Sequence, residues 1–147
     1  MPKLFIERLS VLAETFEVVA DMNERIQLLI DYADRFKEVP EKIAKRPFPE
    51  SHRVPFCESE AYVWLEQQPD HTIKLHFAVE NPQGISAKAP AAILEQTLSG
   101  LPAKQITEIS PNLVFKLFGR NISMGKGQGL MAMVSMVKSS AQQFIEV

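Results

Sequence analysis

With 147 residues, 46% of them hydrophobic, the chain is long enough for one domain, which should bury about 70% of the surface that its unfolded form exposes. Its 16 basic and 18 acidic residues are spread along the chain for a formal net charge of −2. They leave no concentrated positive field for a polyanion and argue against nucleic acid as a ligand. A single cysteine excludes an internal disulfide, and His52, His71 and His76 fit no C-x-x-C or H-x-x-x-H spacing, which argues against a structural metal.

The apolar run in Met1 to Arg8 is too short for a signal sequence or a membrane span, so a soluble, cytoplasmic protein is expected. From Arg8 to Ala20, Leu9, Leu12, Phe16 and Val19 recur at helical spacing and predict an amphipathic helix. Asp21 and Glu24 form a capping-box pattern ahead of Ile26, Leu29, Ile30, Ala33 and Phe36, which share one face of a second helix. Between Lys37 and Phe56 the prolines at 40, 47, 49 and 55 remove helix donors and fix the backbone locally. This predicts a long, semi-rigid loop that ends at Cys57, a length that in compact domains is often functional.

Ala61, Val63 and Leu65 alternate with Tyr62 and Trp64, and Ile73, Leu75, Phe77 and Val79 alternate more cleanly; Gln68-Pro69-Asp70 turns one strand into the other. Two strands alone are marginal, so a third from Arg53 to Pro55 and a covering layer of helices are expected. Ser86 to Leu98, stopping at Gly100, predicts a helix; Leu101 to Ile109 predicts a shorter one; Ser110 with Pro111 starts another. The last, from about Gln128 to Ile145, carries Leu130, Met131, Val134, Val137, Ala141 and Phe144 along one face. The class is α+β, a small antiparallel sheet covered by helices, forming one domain over residues 1–147.

Cys57 sits where the rigid loop meets the first strand. A lone cysteine is either a nucleophile or a small buried hydrophobe. A cysteine hydrolase needs a histidine base, for which His52, His71 and His76 are the candidates, although the two later ones read as solvated strand edges or turns. Gly125-Lys126-Gly127-Gln128-Gly129 has neither Walker A nor dinucleotide-turn spacing and reads as a flexible loop leading into the last helix with one positive charge. Met133 and Met136, spaced with Leu130 and Val137, read as core filling.

The segment Val54-Pro55-Phe56-Cys57-Glu58-Ser59-Glu60-Ala61-Tyr62-Val63-Trp64 resembles the sulfur-acceptor site of the SufE family, a pattern of roughly Asn-x-Val-x-Gly-Cys-x-Ser before an aromatic-rich strand. The likeness continues through Phe77-Ala78-Val79-Glu80, Ser86-Ala87-Lys88-Ala89, Leu98-Ser99-Gly100 and Ser123 to Leu130 in the expected order. It implies a compact α+β domain related to the IscU-type scaffolds, partnered with a SufS-type cysteine desulfurase and a SufB-containing scaffold complex, as a monomer or homodimer. By the resemblance Cys57 is the sulfur-accepting residue, and the pyridoxal phosphate belongs to the desulfurase, with no cofactor bound by this chain.

Phe56 replaces the usual glycine, His52 stands where asparagine is common, and Lys126 where arginine is usual. These three, with Arg53, are the candidate supporting or partner-contacting residues; Arg53 or Lys126 would favour the thiolate, and Phe56 would cover the sulfur. Competing readings are a cluster scaffold, which one cysteine poorly supports, and an independent cysteine enzyme or thiol redox sensor, for which no resolving thiol is present in the chain.

Overall fold

The computed structural model describes residues 22–55, 60–81, 84–109 and 124–145. In chain order these form α1 (Met22–Asp34), a 3-10 turn (Glu50–His52), β1 (Ala61–Gln67), β2 (Thr72–Val79), α2 (Ile85–Leu98), β3 (Leu101–Pro102), α3 (Ala103–Ile106) and α4 (Met124–Ile145). The expected α+β class is what this arrangement is: a three-stranded antiparallel sheet in the order β1-β2-β3, with helices on one face. The helix expected at 8–20, the cap at Asp21 and the helix start at Ser110 lie outside the described residues.

The hairpin follows directly from its residues. Ala61 pairs with Val79 and Gln67 with Ile73, which puts Ala61, Val63, Ile73, Leu75, Phe77 and Val79 on the inner face. At the turn Pro69 presets φ, the His71 N–H donates to Gln68 O, and Asp70 accepts from both the N–H and the hydroxyl of Thr72. His71 then takes a left-handed φ of 71°, and the Gln68 N–H closes back onto Thr72 O.

Against the inner face of the sheet lies α2, whose Ala87, Ala89, Ala91, Ala92, Ile93 and Leu94 are all buried. A helix apolar on nearly every side has to be enclosed, and α2 packs against β2, α1 and α4. It ends at Ser99, and Gly100 with φ 96° turns the chain so that its N–H bonds Ile73 O. Met133, Val134, Val137 and Ala141 of α4 complete this core.

Several expectations are corrected here. The third strand is Leu101–Pro102, bonded to β2 where a short helix was predicted; α3 is confined to the following turn. Residues 53–55 form no strand, although Arg53 makes one antiparallel bridge to Tyr62. The glycine-rich segment at 125–129 is helical, because α4 begins at Met124. The inward face of α4 is turned toward Met133 rather than Met131, which is exposed, and Ile26 of α1 is likewise exposed. His76 is buried rather than solvated: its ring lies against Glu66, with Nε2 3.0 Å from the carboxylate.

The outer face of the hairpin is not bare. Tyr62, Trp64 and Ala78 are buried there beneath Val39 and Phe48 of the proline-rich segment, with Ile43 and Ala44 packed alongside. That segment starts at the far edge of β2, where the Val39 N–H donates to Phe77 O at 2.8 Å, and crosses to the free edge of β1. It is a strap with its own small core. The edge of β2 is thereby covered at three points by different means: Val39 at Phe77, the Ser99 hydroxyl accepting from the Leu75 N–H, and Gly100 at Ile73.

Candidate functional site

The strap reaches β1 through the 3-10 turn. The Arg53 N–H bonds Glu50 O, and Val54, with no exposed surface, inserts into the main core. The Val54 N–H then donates to Ala61 O at 2.8 Å, adjacent to the Arg53–Tyr62 bridge. On the other side, Glu60 sits at φ 51° and its carbonyl accepts from the Glu80 N–H at 3.2 Å. The segment 55–60, which holds Cys57, is therefore closed at its base by backbone bonds on both flanks. Phe56 and Cys57 themselves lie outside the described residues, as does the side chain of Lys126, whose backbone is in the first turn of α4.

His52 is fixed on the same edge. Its Nδ1 is 2.9 Å from Val63 O and its ring stacks on Trp64 at 5.3 Å between centroids. A carbonyl only accepts, so Nδ1 carries the proton, and in the neutral ring Nε2 is left as an acceptor. The free carbonyls of β1 are thus answered alternately, Ala61 by the backbone of Val54 and Val63 by the imidazole.

Arg53, four residues before the cysteine, is half-buried and lies 3.6 Å from the Glu50 carboxylate. Its charge is partly engaged there. Tyr62 is buried beneath the strap, and burial, with Glu60 and Glu50 adding to it, pushes its phenol above the ordinary value, keeping it neutral.

The structure thus brings His52 and Arg53 to the base of the cysteine segment. Sequence reasoning missed Glu80 and Arg46, which meet near the other flank: the Arg46 Nε donates to Glu80 at 2.7 Å while its Nη atoms hold Glu38. These partners are 34 and 8 residues apart in sequence, with no local pattern to announce them.

Among the described residues, no helix is long and apolar enough to cross a membrane. No curated protein matches the chain. The solution structure of a hypothetical protein from Thermus thermophilus is similar with a TM-score of 0.72 at 22% identity, over 95% of this chain and 96% of that one. At that identity the likeness is one of fold. A family model described as "SufE: Fe-S metabolism associated domain" matches residues 10–141, which is most of the chain. The chain belongs to the SufE family and is associated with iron-sulfur metabolism.

Proposed function

We propose that the protein accepts sulfane sulfur on Cys57 from the persulfide of a pyridoxal-phosphate-dependent cysteine desulfurase of the SufS type, stimulating that enzyme, and passes the sulfur to a SufB-containing scaffold complex in the cytoplasm. The observation that carries this reading is the placement of the chain's one cysteine on a segment whose two ends are bonded into the sheet at Val54–Ala61 and Glu60–Glu80, in a SufE-family domain. A carrier needs one presented thiol on a firm base, and no cofactor of its own.

The chemistry is thiol exchange. The Cys57 thiolate attacks the outer sulfur of the desulfurase persulfide, a new S–S bond forms on Cys57, and the old one breaks to release the desulfurase thiolate. One S–S bond replaces another, so no external oxidant or reductant is consumed. The proton lost from the Cys57 thiol is balanced by protonation of the leaving thiolate. An unperturbed thiol of pKa about 8.5 is only slightly ionised at neutral pH, so a positive charge that favours the anion accelerates the step. Lys126 is the candidate for that charge, because Arg53 already faces Glu50.

The test is to incubate the protein with a desulfurase, pyridoxal phosphate and free cysteine, then measure intact mass without reductant. Wild type gains the mass of one or more sulfur atoms, and Cys57→Ser gains none and gives no stimulation while still binding the desulfurase. Lys126→Ala slows loading and Lys126→Arg preserves it. Full stimulation by Cys57→Ser sinks the reading.

A further inference from the structure

Arg46 is engaged more completely than an exposed residue of a surface strap requires. Its guanidinium lies 4.9 Å over the Phe48 ring and divides its donors between two carboxylates, with Nε and Nη2 each 2.7 Å from Glu80 and Nη1 3.0 Å from Glu38. Glu38 belongs to the strap itself. Glu80 does not: it follows Val79, the last residue of β2, and its backbone N–H is the group that holds the carbonyl of Glu60.

Glu60 in turn has a left-handed φ, which a non-glycine residue keeps only when its surroundings hold it there. A continuous series of contacts therefore runs from the strap through Arg46 and Glu80 to the residue three positions after Cys57.

We propose that Arg46 is a positioning residue for sulfur transfer, acting through Glu80 on the C-terminal foot of the segment that carries Cys57. This rests on the sulfur-acceptor reading given above. In-line exchange between two sulfur atoms needs the attacking thiolate held along the S–S axis, and a foot that swings costs rate without costing fold. The three side chains are a third to a half exposed, so their ion pairs add little to global stability and the variants should fold. An arginine is needed because a lysine ammonium cannot span two carboxylates with a rigid fork.

The experiment compares Arg46→Ala, Glu80→Ala and the double variant with wild type. The readouts are the alkylation rate of Cys57 by iodoacetamide, the maximal rate of sulfur loading, and the desulfurase concentration that gives half of it. Each single variant should alkylate about threefold faster and load about threefold more slowly, the size expected of ion pairs at this exposure. The double variant should be no worse than either single one, because the two residues act in series. The half-saturating desulfurase concentration should not move. Lys74→Ala, which removes an ion pair of similar exposure to Glu95 near the turn end of the hairpin, should leave all three readouts at wild-type values.

Wild-type alkylation in Arg46→Ala or Glu80→Ala, additive effects, or an equal response in Lys74→Ala overturns the proposal. A shift in the half-saturating concentration with unchanged alkylation also overturns it, by making Arg46 a docking contact. If wild-type Cys57 takes up no sulfur at all, the sulfur-acceptor reading fails on its own, while the alkylation rates still decide whether Arg46 sets the geometry of the segment.

Discussion

Truncating Phe48 tests whether the strap is held by packing or merely lies on the sheet. Phe48 is buried, with its ring centroid 5.2 Å from those of both Tyr62 and Trp64. Removing a core phenylalanine costs about 3–5 kcal/mol, and Phe48→Ala should fall at the lower end, about 3 kcal/mol, because the strap core is small and one side of the cavity opens to solvent. Phe48→Leu keeps most of the buried volume and loses the two ring contacts, so it should cost about 1–1.5 kcal/mol. Trp64 is the only tryptophan, so its fluorescence reports on this face while far-UV circular dichroism reports on the helices. In urea the two transitions of wild type should coincide, and in Phe48→Ala the Trp64 transition should come first, as the strap detaches before the main core opens. A loss below about 1 kcal/mol, or equal losses for alanine and leucine, would refute the idea that ring packing holds the strap.

The acid limb of stability should depend on Glu66. The His76 Nε2–H beside it holds its carboxyl below the ordinary value, so its contribution is present above the unfolded pKa of about 4.3 and is lost as pH falls through the depressed folded value. Asp70, held down by Thr72, titrates in the same direction, so the measurement is the difference in melting temperature between wild type and Glu66→Gln from pH 7 to pH 3; it should shrink on acidification, and a constant difference counts against the pairing. Gly100→Ala should destabilise by about 1–2 kcal/mol through backbone strain alone: φ is 96° and nothing lies within 4 Å of the added Cβ. Gly100→Asn, better suited to positive φ, should cost less by chemical denaturation.

The elements with local determinants were legible in the chain. The alternation at Ile73, Leu75, Phe77 and Val79 needs no distant partner to be read, and the proline at 69 marks its own turn. Beyond local pattern the reading failed in specific ways. Leu101–Pro102 is too short to carry a period and is a strand only because β2 offers an edge there. Met131 and Met133 are two residues apart on a helix, and composition alone does not say which of them faces the core. His76 occupies a polar-face position, but it pairs with Trp64 on the face that the strap partly covers, and Glu66 is its diagonal neighbour across the hairpin, so it is buried with a partner. The strap core has the same origin: Val39 and Phe48 meet Tyr62 and Trp64 only after the loop has folded across the hairpin. For the candidate site the motif proposes Cys57, whereas the pairing of Arg46 with Glu80, 34 residues away, has no local pattern in the sequence.

In the sulfur transfer proposed above, the closed base of the cysteine segment also limits what the donor must do. A chain extends by at most about 3.6 Å per residue, so the Cα of Cys57 stays within about 11 Å of that of Val54 whatever conformation the intervening residues take. Val54 and Ala61 are anchored in the core with no exposed surface. The thiol therefore cannot travel to a distant active site on a long tether; the donor persulfide has to be brought to this edge of the domain. His52 and Arg53 lie on that edge, beside the Trp64 stack and the Tyr62 bridge, so any docked desulfurase that reaches Cys57 comes close to them. Under that proposal, a firm base and a short reach convert binding at this edge into alignment of the two sulfur atoms. That division of labour is why a substitution at the base is expected to change the transfer rate before it changes affinity.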